Sequence, residues 1–142
     1  MATDSMFQML KYFKKAEFKH PELMDEQFLQ FLDTVRGFYG KPLKLNSDGR
    51  SLTENIAAKG SAARSAHLLG RAVDIDVDFK DYTAYTGIGT AILLAALKWN
   101  VLTKLGFEVV HEDHDSHIHL DLGGTFPDGY MLPRPKFILS ND

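Results

Sequence analysis

The chain contains no cysteine. That absence excludes disulfides, thiolate metal sites and cysteine nucleophiles together, so any metal must be held by histidine and carboxylate. Long apolar runs are missing as well. The richest, from Ala91 to Leu97, ends at Lys98, far short of the roughly 20 residues that span a bilayer, so no membrane partner is expected. Positive charge is not in excess: 16 Lys and Arg stand against 19 Asp and Glu, a net charge of −3. With no basic stripe, a nucleic-acid partner finds no support, and Lys14 and Lys15 read as a solvated face. No apolar segment follows the polar start, Met-Ala-Thr-Asp-Ser. No secretory signal is therefore visible, and the chain is expected to be made and first folded in the cytoplasm.

What remains is a chain of 142 residues, 44% hydrophobic and 25% charged. That length and balance suit one compact domain over residues 1–142, able to bury a core without covalent staples. Phe7, Leu10, Phe13 and Phe18 are expected core contacts. A helix is expected after Pro21, with Phe28, Phe31, Leu32 and Val35 at helical spacing and Gly37 and Gly40 closing it. Residues 42–46 read as a short strand. Residues 47–66 read as a long loop with a short helix near Glu54–Lys59, and loops of that length in compact domains tend to be functional.

From Arg71 to Asp78 the chain alternates by two. Val73, Ile75 and Val77 face one way, and Asp74, Asp76 and Asp78 face the other. Residues 83–104 predict a helix with Ile88, Ile92, Ala95, Trp99 and Leu102 on one stripe, stopped by Gly106. Two more strands follow, 107–110 and 117–122. The stretch from about residue 125, with three prolines from Pro127 on, reads as an irregular tail. Together these elements predict an α+β domain, a mostly antiparallel sheet flanked by helices.

Four of the six histidines lie between 111 and 119. On a strand, His117, His119 and Asp121 share one face while Ile118, Leu120 and Leu122 take the other. An isolated His-x-His is more often a solvated strand face than a ligand pair. A second constellation changes that balance: His67 sits where the long loop meets a strand, and Asp74 projects from that strand's polar face, with Gly70 permitting a tight bend between them. Catalytic zinc takes three nitrogen or carboxylate ligands and keeps a fourth position open. His67, Asp74 and His119 would supply that set. Asp76 and Asp78 read as strand-edge charges, with a calcium site on them as the alternative.

The pattern Ser65-x-His67-x-x-Gly70-x-Ala72-x-Asp74, followed by His117-x-His119, resembles zinc peptidases of the D-Ala-D-Ala carboxypeptidase, murein endopeptidase and hedgehog-like family, which includes phage endolysins. The resemblance runs from about Met24 to Leu122. Ser47-Asp48-Gly49-Arg50 is similar to the family's Ser-Gly-Tyr-Arg turn, with Gly49 where the aromatic would be, and Asn55 and Gly60 fall in the family's loop. The resemblance implies zinc on His67, Asp74 and His119, a serine beside the site at Ser65, and Arg50 as a binder of substrate carbonyl or carboxylate. A loop-anchoring salt bridge is the competing role for Arg50. Many members carry a glutamate three residues before the last ligand, where this chain has Ser116. The murein endopeptidase branch carries extra histidines instead, which implies acid/base work for His117 assisted by His114, with Glu112, Asp113 and Asp115 as substitutes.

The function expected from the resemblance is zinc-dependent hydrolysis of peptide bonds in peptidoglycan stem peptides, carried out by a monomer. In a phage or prophage lysis enzyme, action on the cell wall would follow release through a pore made by another protein. Two alternatives remain at this stage: a non-catalytic zinc-binding module of the same fold, and a different metal hydrolase built on the His-x-His strand.

Overall fold

The structure, a computed structural model, describes residues 2–57 and 64–141. A five-stranded sheet is its frame: β1 (Leu45–Ser47), β2 (Ala72–Asp76), β3 (Gly106–Glu112), β4 (Asp115–Asp121) and β5 (Lys136–Asn141) stand in the order β1-β2-β4-β3-β5. Every pairing is antiparallel except that of β5 with β3. The helices are α1 (Asp4–Met9), α2 (Glu26–Tyr39), α3 (Leu52–Ala57) and α4 (Tyr82–Lys98). The α+β, mostly antiparallel architecture read from the sequence is the one found.

Alternation along the strands sorts the two sheet faces. Val73, Ile75, Ile118 and Leu120, all fully buried, join Phe28, Phe31, Leu32 and Val35 of α2 and Ile88, Ile92 and Ala95 of α4 in one apolar cluster. Phe7, Phe13 and Phe18 close that cluster, and Leu10 packs against it. The opposite face carries Asp74, His117, His119 and Glu108, and remains open as a cleft. A sheet with one packed face and one solvated face is the common antiparallel solution. Among the described residues, no helix is long and apolar enough to cross a membrane.

Three expected boundaries move. Pro21 begins only a 3-10 turn, Pro21–Leu23, and α2 starts at Glu26 because the Asp25 carboxylate accepts from Phe28 N (3.0 Å). The second long helix stops at Lys98, before the expected 104. Asn100 takes φ 54°, and the amides of Asn100 and Val101 bond back to Leu97 O and Ala96 O, a left-handed close that asparagine tolerates. As a result Trp99 and Leu102 are partly exposed, off the buried stripe.

The third is the tail. It is not irregular throughout: residues 136–141 form β5, with Phe107 opposite Phe137 and Val109 opposite Leu139. Pro127, Pro133 and Pro135 argue against strand up to residue 135, but the run after them is proline-free and β-forming. Its partner, the free edge of β3, is a tertiary feature. The short helix of the long loop appears as α3, Leu52–Ala57; the expected extension to Lys59, and Gly60, lie outside the described residues.

Candidate metal centre and cleft

His67 rides on a 3-10 turn, Ala66–Leu69. Ser65 starts that turn, its Oγ accepting from His67 N at 3.2 Å, and Gly70 ends it at φ 66°. Glycine is required at 70, since a Cβ there would lie 1.9 Å from Leu23 O. The His67 ring is buried, and its Nδ1 lies 2.7 Å from Asp48 O. A carbonyl only accepts, so Nδ1 carries the proton and Nε2 offers its lone pair. Asp48 itself is buried, its carboxylate accepting the amides of Lys19 (2.6 Å) and His20 (3.0 Å).

Asp74 and His119 face each other across the β2–β4 ladder. Asp74 Oδ1 lies 3.5 Å from His67 Nε2 and 3.0 Å from His119 Nδ1. Each of the three residues offers a ligand atom such that all three lie within 4.8 Å of one another. Donors around one tetrahedral zinc at about 2.0–2.1 Å stand roughly 3.3 Å apart, so small side-chain adjustments would let all three meet a single ion. The chemistry of the set fits as well. His119 Nε2 donates to Asp121 Oδ2 at 2.7 Å, just as His67 Nδ1 donates to Asp48 O. Each ring is thus oriented through its far nitrogen, the arrangement typical of metal-bound imidazoles.

Charge is concentrated here. Burial opposes ionisation of Asp74, but the hydrogen bond from His119, with the His67 imidazole beside it, overcomes that cost and holds the carboxyl well below the usual range. Burial likewise disfavours the imidazolium of His119, yet hydrogen bonds to Asp121 and Asp74 raise its pKa to about 9. Asp121 is lowered to about 2, burial being outweighed by hydrogen bonds from His119 and Arg134. Without a metal these shifts favour a proton on His119 between Asp74 and Asp121.

The cleft over these groups has a volume near 1030 Å³, enough for several residues of an extended peptide. His117 lines it, with Nδ1 2.9 Å from Asp115 Oδ1. Arg50 also lines it, with Nη2 3.1 Å from Ser47 Oγ and 3.7 Å from Asp74 Oδ2. Arg50 therefore both anchors its loop and stands beside the candidate ligands. Ser65 reaches the cleft too, while its hydroxyl caps the His67 turn. His114 is not brought to the others: it occupies the turn between β3 and β4, exposed and outside the cleft lining. Asp113 shares that turn. Ser116 points away, its hydroxyl donating to Val77 O. His111 is stacked on Phe79 (4.2 Å between centroids) and bonded to Phe79 O, a structural role.

Several residues join the site without having been singled out in the sequence. Glu108, opposite His119 on β3, lines the cleft. The alternation of β3 could have revealed it once paired with β4. Asp121 stands on the polar face that the alternation of β4 predicts, and Arg134, which grips it, comes from the tail that reads as irregular in sequence.

The fold is similar to the crystal structure of the L-Ala D-Glu endopeptidase ChiX from Serratia marcescens, with a TM-score of 0.51 and 20% identity over 75% of this chain and 84% of that one. No curated protein sequence matches the chain. The sequence profile described as Peptidase M15 matches residues 3–121, a span that contains His67, Asp74, His119, His117 and Arg50. On that match the chain belongs to the Peptidase M15 family.

Proposed function

We propose that this chain is a zinc peptidase that hydrolyses peptide bonds in the stem peptides of bacterial peptidoglycan. The observation that carries this reading is the convergence of His67 Nε2, Asp74 Oδ1 and His119 Nδ1 at the floor of an open cleft. Membership of Peptidase M15 supports the reaction class, and the wall-directed name of the ChiX endopeptidase supports the substrate class. Zinc held by these three residues would supply Lewis acidity toward a peptide carbonyl and make water more acidic.

The remaining work falls to side chains. Asp115 against Nδ1 keeps the proton of neutral His117 on that nitrogen and leaves Nε2 as the base. His117 Nε2 takes a proton from the attacking water and returns it to the leaving amine. Arg50 offers positive charge to the oxygen that becomes an oxyanion or to a stem carboxylate. Glu108 is the second carboxylate within reach of the cleft and a substitute base.

A second reading, a metal-binding module without catalysis, is favoured by Ser116, which stands where many relatives have a glutamate and turns its hydroxyl to Val77 O. One experiment separates the two. Zinc-loaded protein is incubated with purified murein, and the products are identified by mass spectrometry. New amino termini, and their loss in a zinc-retaining His117→Ala variant, support the peptidase. Stoichiometric zinc with intact murein leaves the binding module.

A further inference from the structure

We infer that Arg134, acting through Asp121, is a positioning residue for the metal centre, so that the segment beyond the family match completes the site. The inference rests on the metal reading above for its consequence, and on geometry of its own for the contact.

Asp121 is 1% exposed at the end of β4. Its carboxylate accepts from His119 Nε2 (2.7 Å), from Gly123 N (2.7 Å) and from Arg134, whose Nε reaches Oδ1 and Nη2 reaches Oδ2, both at 2.8 Å. A two-pronged guanidinium contact fixes the plane of a carboxylate as well as its charge. Space for the carboxylate is made by Gly106, where a Cβ would lie 2.4–2.6 Å from the three carboxyl atoms. Arg134 is held in turn by β5: Lys136 N donates to Leu105 O at 2.9 Å, and Lys136 pairs with Gly106. The tail strand thus places the guanidinium beside the buried acid.

The consequence runs through the histidine. A buried carboxylate without its guanidinium partner is costly and would turn toward water. With the Arg134 fork and the Gly123 amide on its oxygens, the Asp121 carboxylate is held in one orientation and accepts from His119. It therefore fixes His119 Nε2 as a donor and aims Nδ1 at Asp74. The family match ends at residue 121, so the residue supplying this control lies in the segment beyond it.

The test uses the full chain and zinc alone. Wild type, Arg134→Ala, Arg134→Lys, Asp121→Asn and the Arg134→Ala/Asp121→Asn double variant are titrated with zinc against a competing chelator. His119 Nε2–H is followed by imidazole ¹⁵N–¹H NMR in the metal-free proteins. Arg134→Ala is expected to weaken zinc binding about 10- to 100-fold, the range for loss of an outer-shell partner, and to bleach the protected Nε2–H signal. Arg134→Lys, keeping charge without the fork, should fall between. The double variant should bind no worse than the poorer single one. Zinc binding within twofold of wild type, a retained Nε2–H signal, or additive losses in the double variant would overturn the inference. If Arg134→Ala does not fold, Arg134→Lys decides on the same two readouts. If wild type binds no zinc, the metal reading fails while the Nε2–H signal still judges the Arg134 contact.

Discussion

His119 Nδ1 lies 3.0 Å from Asp74 Oδ1, on the antiparallel rung that pairs the two residues. In the metal-free protein this contact holds a proton, because the flanking carboxylates raise the imidazole pKa to about 9. The unfolded chain releases that proton near pH 6.5. Below that pH, His119 contributes its full stabilisation; as pH rises through about 9 the contribution is lost. Denaturation midpoints of metal-free protein should therefore fall between pH 6.5 and 9, by no more than about 3.5 kcal/mol in stability. Zinc bound as proposed would replace the proton, so zinc-loaded protein should not show this fall, and zinc binding should release protons in the same window. At the acid end Asp121 behaves oppositely: its stabilisation is present above about pH 4 and lost as pH falls through about 2. A metal-free midpoint that rises from pH 6.5 to 9 would contradict the assignment of His119.

Metal content follows from the ligand set. His67→Ala and Asp74→Ala should each lose stoichiometric zinc, because two remaining donors leave the ion without the three-ligand set. Removing metal from wild type with a chelator should abolish cleavage of murein, and added zinc should restore it. Elemental analysis of the dialysed variants is the direct check. Full zinc in both variants would show that the ion sits elsewhere.

The histidines of the β3–β4 hairpin should separate by function. His117→Ala should lower kcat by about 10²- to 10⁴-fold, the range for a lost general base, while zinc content stays at wild type. His114→Ala should remain within about twofold of wild type, since its side chain is exposed in the hairpin turn outside the cleft. Glu108→Gln tests the substitute base. If it costs more than His117→Ala, the proton transfer belongs to the β3 carboxylate.

Much of this site is legible in one dimension because strand alternation is a local property. Val73-Asp74-Ile75 and Ile118-His119-Leu120 each announce which side chains meet the core, and burial agrees. The His67-to-Asp74 spacing carries the turn at Gly70 within it. The contacts that complete the site are not local. Asp121 and Arg134 are separated by a stretch with two left-handed glycines, Gly123 and Gly124, and no periodicity in it points back to β4. The role of Asp48 is hidden in another way, since His67 is oriented by its backbone carbonyl, a group every residue has. His114 and His117 look alike in sequence, and only the position of the β3–β4 turn separates the exposed one from the one in the cleft.

Two glycines in left-handed backbone give a controlled test of how the fold holds His67. Gly40 closes α2 at φ 78° with nothing within 4 Å of an added Cβ, whereas at Gly70, φ 66°, the Cβ would meet Leu23 O at 1.9 Å and Asp25 N at 2.9 Å. Gly40→Ala therefore carries only the conformational cost of a side chain in that region, about 1–2 kcal/mol. Gly70→Ala carries the same cost plus a backbone collision, and the strand-side chain has to move. Gly70 O accepts the amide of Asp25 at 2.9 Å, and Asp25 caps α2, so the displacement reaches the start of that helix. It also reaches His67, one turn back. Thermal denaturation should rank Gly70→Ala below Gly40→Ala by at least about 2 kcal/mol, and zinc affinity should drop in Gly70→Ala alone. Equal destabilisation with equal zinc binding would mean that the turn yields without cost, and that His67 is not held by the contact between Gly70 and the residues that precede α2.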